Sequence, residues 1–368
     1  MKKSLLILLV LIMVACSTGS SEEAAADCTV GSVNGDLNLY NWAEYIDPDL
    51  VSEFEETYGV SVYEDFYTSN EEARTKLQTG VNAYDIVVPS DYMISQLIED
   101  GLLLELNFDL LPNFSNIDPE YTYLVYDPEN LYTVPYFWGT TGFGVNLDAL
   151  GVEEVPNTWG LVFDKALRDQ YGLKFTLLDD SREVLGAALK YLGYSLNTTD
   201  EAQIQEAADL VKETQEAIVA YDSDQFEDLI ISGEINAAHG WSGDFFALFY
   251  ELEDQYEDVY SSFVYLIPEE GGVRWSDAMV IPSNASSVCT AHTFINFMMD
   301  AEKAAQNAEW NAYATANLAA KALIDSEMLA DESIYPTAEV VANLEFIADL
   351  GDVNEVYENK FFEAKSSS

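Results

Sequence analysis

From Leu37 onward the chain alternates short apolar runs with amphipathic stretches. Leu37 to Tyr40 reads as a strand. Behind the helix start signal Asp47-Pro48, the apolar positions Leu50, Val51, Phe54 and Tyr58 recur at helical spacing, and Gly59 ends the run. Val60 to Phe66 predicts a second strand, and Asn70 to Gln78 a polar helix. Tyr84 to Pro89 predicts a buried strand, with Met93, Leu97 and Ile98 marking the helix after it. Strand, loop and helix in repetition imply an α/β fold built on mostly parallel sheet. In such a fold the functional loops gather at the carboxyl ends of the strands.

The middle of the chain reads less regularly. Asn107 to Asn130 is rich in Asp, Asn and Pro, and is expected to be irregular. Tyr132 to Thr141 resumes as strand, runs on through Gly142 and Gly144 to Val145, and is expected to cross between two domains. Trp159 and Phe163 begin a helical or irregular stretch. Phe175 to Leu178 predicts a strand, Val184 to Leu192 a helix, and Ala202 to Val219 one charged surface helix. Ile235 to His239, Val259 to Pro268 and Trp275 to Pro282 predict three more strands, the last returning to the first domain. From Thr290 the helical pattern dominates.

Length and composition then narrow the class. A chain of 368 residues suits two domains. Lys2 and Lys3, the apolar run Leu5 to Val14 and the small residue Ala15 before Cys16 predict an export signal, too short to span a bilayer as a permanent helix. Met-Val-Ala-Cys resembles a bacterial lipobox with Met13 in place of the usual Leu, so Cys16 is expected to carry lipid and tie the protein to the outer face of a membrane. The Ser/Gly/Glu/Ala-rich residues that follow predict a flexible tether over 17–35. The charge is extreme: 66 acids against 15 basic residues, formally −51. Nucleic acid is excluded as a natural partner. A small cation needs only a few carboxylates, so most of this acidity requires another origin, such as a salty environment. Cys28 and Cys289 remain in an oxidising setting, either paired or as unrelated thiols, and their spacing leaves both open. No Cys/His cluster supports a metal centre or thiol chemistry, and no cofactor motif is present.

Candidate chemistry sits in the loops. Trp42, Glu44 and Tyr45 follow the first strand, and Ser90 and Tyr92 follow another. Asp180 and Glu183, Trp241 and Asp244, and Trp275 and Asp277 repeat the theme, with Tyr313 a further ring. An indole face beside a carboxylate suits an organic ammonium ion, because the ring attracts the cation and the carboxylate accepts its N–H groups. Each acid also has a plain structural use: Asp180 and Glu183 can cap and charge a helix amino terminus, and Asp244 can cap a helix starting at Phe245.

Six stretches in order give the chain a family resemblance: Tyr-Asn-Trp-Ala-Glu-Tyr (40–45), Tyr-Asp-Ile-Val-Val-Pro-Ser (84–90), Asn-Phe-Ser-Asn-Ile-Asp-Pro (113–119), Pro-Tyr-Phe-Trp-Gly-Thr-Thr (135–141), Asp-Asp-Ser-Arg-Glu-Val (179–184) and Trp-Ser-Asp-Ala (275–278). From about Leu37 to Phe361 the chain resembles the periplasmic spermidine/putrescine-binding proteins of polyamine ABC transporters. The resemblance implies a type II periplasmic-binding fold, with a ligand cleft between lobe 1 (36–142 plus 276–321) and lobe 2 (143–275 plus 322–368). It implies a polyamine ligand, permease partners, no cofactor and no catalysis, and it carries the pocket role to Trp42, Glu44, Tyr45, Ser90, Tyr92, Asp180, Glu183, Trp241, Trp275, Asp277 and Tyr313. Asp244 resembles the putrescine-preferring members, whereas Tyr92, Asp180 and Trp275 resemble the spermidine type, so both ligand lengths stay open. Glu345-Phe346-Ile347-Ala348 stands where spermidine-preferring members have Glu-Trp-Gln-Asn, while Ala43 replaces a usual Thr or Ser. The competing readings are a sugar or amino-acid receptor of the same fold and a glycosidase using two carboxylates. A neutral sugar would leave the cleft acids buried without cations, at high cost.

Overall fold

The computed structural model describes residues 27–81, 83–252, 255–256 and 258–366. The expected export signal and the expected lipid site at Cys16 lie outside these residues. Residues 28–35, expected as part of a tether, are pinned down instead. Cys28 is disulfide-bonded to Cys289, Asn34 accepts the Cys289 and Thr290 backbone N–H groups, and Thr293 donates to the Ser32 carbonyl.

The first half of the fold follows the apolar pattern closely. Strand β1 (Leu37–Asn41), helix α1 (Pro48–Tyr58), β2 (Val62–Phe66), α2 (Asn70–Thr79), β3 (Ile86–Val87) and α3 (Asp91–Glu99) succeed one another. Their strands form a parallel sheet in the order β2-β1-β3. In α1 the Asp47 side chain accepts the Asp49 N–H, Pro48 fills the first turn, and Leu50 and Phe54 turn inward. Gly59 stops the helix at φ 69°, a left-handed conformation that costs glycine nothing.

The second half is organised around one strand. After three 3-10 turns between Phe108 and Tyr121, β4 (Val134–Asn146) runs thirteen residues, all buried. Then come β5 (Phe175–Leu177), α4 (Ser181–Tyr191), α5 (Glu201–Thr214), β6 (Ile218–Tyr221), α6 (Phe226–Ile231), β7 (Ala237–Trp241), α7 (Ser242–Leu252), β8 (Phe263–Leu266), β9 (Arg274–Met279), α8 (Val288–Met298), α9 (Ala301–Asn311), β10 (Ala314–Thr315) and α10 (Val353–Lys365). The amino-terminal half of β4 pairs with β9 and β10, and its carboxyl-terminal half with β7 and β8, all antiparallel. Beyond β7 lie β5 and β6, joined in parallel. A bridge from Val87 to Val280 attaches the three-stranded sheet to the chain leaving β9. Thus β4 and β9 are the strands by which the two sheets are joined; one core cluster runs from the first sheet into α6, α7 and β8, and a second packs around β5, α4, α5 and α10.

Two local expectations are corrected. Ala202 to Val219 is not one helix. It ends at Thr214, turns through Gln215–Ala217 and emerges as β6, because Ile218 to Tyr221 gain a partner in β5. Val259–Ser262 is a single helical turn, and strand begins only at Phe263. Among the described residues no helix is long and apolar enough to cross a membrane.

Candidate functional site

Where the two sheets meet, a cleft holds about 860 Å³ of empty space open to solvent. Each predicted loop delivers its residues there. Trp42, Glu44 and Tyr45 follow β1, Ser90 and Tyr92 begin α3, and Asp180 and Glu183 open α4. Trp241 and Asp244 straddle the junction of β7 and α7, Trp275 and Asp277 lie on β9, and Tyr313 precedes β10. All twelve line the one cleft. Ile347, at the position where spermidine-preferring members carry Gln, lines it too, and so do Asn70, Asp91, Ser223, Asp224 and Glu227, which the sequence reading did not single out.

The rings are fixed by their polar edges. Trp42 donates its Nε1 to the Val88 carbonyl at 2.9 Å and meets Trp241 from the other half, centroids 5.5 Å apart at 63°. Tyr313 stands edge-on to both Tyr45 and Trp275, at 5.2 Å in each case. A Cβ on Gly139 would lie 2.5 Å from the Trp275 ring, and one on Gly243 2.5 Å from the Tyr313 ring, so bare backbone makes room for both aromatics. Backbone strain gathers at the same place. Glu44 and Ala312, which precedes Tyr313, hold φ values of 51° and 55°, each costing on the order of 1–2 kcal/mol for a residue with a Cβ.

The acids divide by how they are held. Asp180 caps α4 by accepting the Arg182 and Glu183 N–H groups, its plain structural use. Asp244 caps nothing. It lies inside α7 and accepts the Tyr313 hydroxyl at 2.5 Å. Asp277 accepts the Tyr45 hydroxyl at 2.7 Å through Oδ2, while Oδ1 has no partner. Glu183 accepts from Thr141 and Trp241 through Oε1, while Oε2 has none. Burial pushes Glu183 up to about 8, with the Asp180 charge adding and the two hydrogen bonds opposing. Burial likewise lifts Asp277 to about 7, against the Tyr45 hydrogen bond and the influence of the neighbouring Ser90 hydroxyl. Asp244 rises to about 7 and Glu227 to about 9, in each case chiefly by burial and then by neighbouring carboxylates.

Eight carboxyl groups line the cleft, those of Glu44, Asp91, Asp180, Glu183, Asp224, Glu227, Asp244 and Asp277, and no Lys, Arg or His lines it. Such a surface recruits positive charge and rejects anions. No cluster among the described residues could hold a metal ion. The flat rings and the width of the acid array suit an extended organic cation.

Residues 49–337 match the family model of bacterial extracellular solute-binding proteins. The chain is 35% identical to the spermidine/putrescine-binding periplasmic protein of Salmonella typhimurium over 353 residues, 96% of each chain. It is 34% identical to a putrescine/cadaverine-binding protein of Pseudomonas aeruginosa, covering 85% of this chain and 88% of that one. Among solved structures, a putative spermidine/putrescine ABC transporter protein from Listeria monocytogenes superposes with a TM-score of 0.83 at 37% identity, covering 91% of this chain and all of that one. These relatives are binding components of transporters, not enzymes. The chain therefore belongs to the bacterial extracellular solute-binding proteins, among the spermidine/putrescine-binding members of polyamine ABC transport systems, and has their two-lobed periplasmic-binding fold.

Proposed function

We propose that this protein captures a polyamine and presents it to an ABC transporter permease. One observation carries the reading: eight carboxyls and no base line a cleft walled by six aromatic rings, those of Trp42, Tyr45, Tyr92, Trp241, Trp275 and Tyr313. Polyamine amines resemble the lysine amine and stay protonated at neutral pH. Burying them is costly unless each meets a carboxylate, and the acids come from both halves of the fold. Closure of lobe 1 (36–142 plus 276–321) on lobe 2 (143–275 plus 322–368) completes that pairing. The methylenes then lie along the rings, Trp42 and Trp241 among them in edge contact. Exposed Glu44 takes an outer ammonium beside α1, where its charge offsets the positive end of that helix.

Lipid on Cys16 would hold this receptor at the outer membrane face, and replacing Cys16 by Ala should release it into the medium. Isothermal calorimetry with putrescine, spermidine and spermine tests the main reading, with a neutral hexose and a zwitterionic amino acid in parallel. Micromolar or tighter binding confined to the polyamines is expected. Binding of the hexose or amino acid instead would overturn it.

A further inference from the structure

Among the described residues, three buried carboxyls share one unusual state. Asp277, Glu183 and Asp91 each have one oxygen in a protein hydrogen bond and the other with no partner, and no other carboxylate oxygen of the described chain is buried in this way. All three line the cleft. Asp91 is 3% exposed and stands at the first position of α3, where an acid ordinarily favours the helix dipole from solvent. Here solvent is excluded. Oδ1 accepts the Tyr92 N–H at 2.7 Å, and Oδ2 is left over. Arg182, whose charge acts on Asp91, gives its two Nη groups to the Ala348 carbonyl, Asn354 and Asn197, and its Nε has no partner. Burial holds Asp91 well above the usual carboxylate range, although the Tyr92 and Ser276 N–H groups and Arg182 act in the opposite direction. Its charge interacts with those of Asp277 and Glu183.

We propose that Asp91 is a specificity-determining residue of this cleft: with Asp277 and Glu183 it forms an inner trio of half-satisfied carboxyls that selects a ligand with an internal secondary ammonium, a linear triamine, over a diamine. The inference rests on the polyamine reading above. A diamine brings two charges, one at each end, and leaves the inner trio short of a cation. A triamine puts a charge in the interior of the chain, where a half-bonded carboxyl can accept it. The site's selectivity then follows from charge count and placement, with little contribution from cleft length.

The test is Asp91→Asn, which keeps the acceptor for the Tyr92 N–H and removes only the charge. Spermidine and putrescine affinities are measured by calorimetry for wild type and variant, alongside ligand-free melting. Wild type should prefer spermidine. The variant should lose ten-fold or more in spermidine affinity and under three-fold for putrescine, with a ligand-free melting temperature no lower than wild type. A merely structural Asp91 would lower melting and weaken both ligands alike, and that result overturns the proposal. So does unchanged spermidine affinity, or a wild type that prefers putrescine. Should Asp91→Asn fold poorly, Asp91→Ser carries the same comparison. If wild type binds neither amine, the polyamine reading itself falls, a distinguishable outcome.

Discussion

Asp85 and Asp277 are both buried, at 0% and 4% exposure, yet the protein treats them in opposite ways. Asp85 stands immediately before β3 with both oxygens engaged. Oδ2 accepts from the Asn38 backbone and side chain, and Oδ1 from Ser286 N–H, Ser286 hydroxyl and Ser287 N–H. It ties β1 to the segment ahead of α8. Asp127 is used likewise, accepting the backbone N–H groups of Leu131, Tyr132 and Thr133. Asp277 has one donor and a spare oxygen, and so has Asp91, while Glu183 takes two donors on one oxygen and keeps the other spare. A buried acid saturated by backbone donors is part of the framework. One left half-bonded is kept at a free-energy cost that a ligand can relieve.

The sharpest way to break that contrast is to remove each acid in turn. Asp85→Ala strands the N–H groups of Asn38, Ser286 and Ser287, at roughly 1–3 kcal/mol each and less than additive. Chemical denaturation should show a loss of about 3–5 kcal/mol. Polyamine affinity of the fraction that remains folded should be unchanged. Asp277→Ala should do the reverse, costing about 2–5 kcal/mol of binding energy as a buried ammonium loses its partner, while ligand-free stability stays within about 1 kcal/mol of wild type. Wild-type affinity in that variant would remove the distinction.

The smallest expected effect is in pH. Folded-state values of about 8 for Glu183 and about 7 for Asp277 and Asp244 lie above ordinary carboxyl values. The folded protein therefore holds more protons than the unfolded chain between about pH 4.5 and 8, and these groups lower ligand-free stability as pH rises through that window. A bound cation favours the ionised forms, so affinity should strengthen from pH 6 to 8, and binding at pH 7 should release protons. Calorimetry in two buffers of different ionisation enthalpy measures that release directly. Proton uptake on binding would contradict the assignment.

The errors of sequence reading are connected. Ile218 to Tyr221 continue the apolar pattern of the helix before them, and only pairing with β5 makes them strand. With β6 masked by that pattern, nothing in the sequence marks the following loop as a strand end, so Ser223, Asp224 and Glu227 carry no local sign of lining the cleft. Asp91 was passed over for a different reason. It sits between Ser90 and Tyr92 in the position of an ordinary first-turn acid, and nothing local reports that solvent is excluded there. Asn70 opens what the sequence predicts as a polar helix, yet its amide donates to the Ser90 hydroxyl and accepts the Ser90 N–H.

By itself the sequence determined the order of strands and helices and the loops that carry rings beside acids, because periodicity, caps and turn residues act over a few positions. Tertiary structure alone decided which acids are satisfied and which are left open. A carboxyl's state depends on donors far away in the chain: Tyr45 lies 232 residues from Asp277, and Trp241 lies 58 from Glu183. Whether those donors arrive, and whether water can follow them, is fixed only when β4 and β9 bring the two halves together.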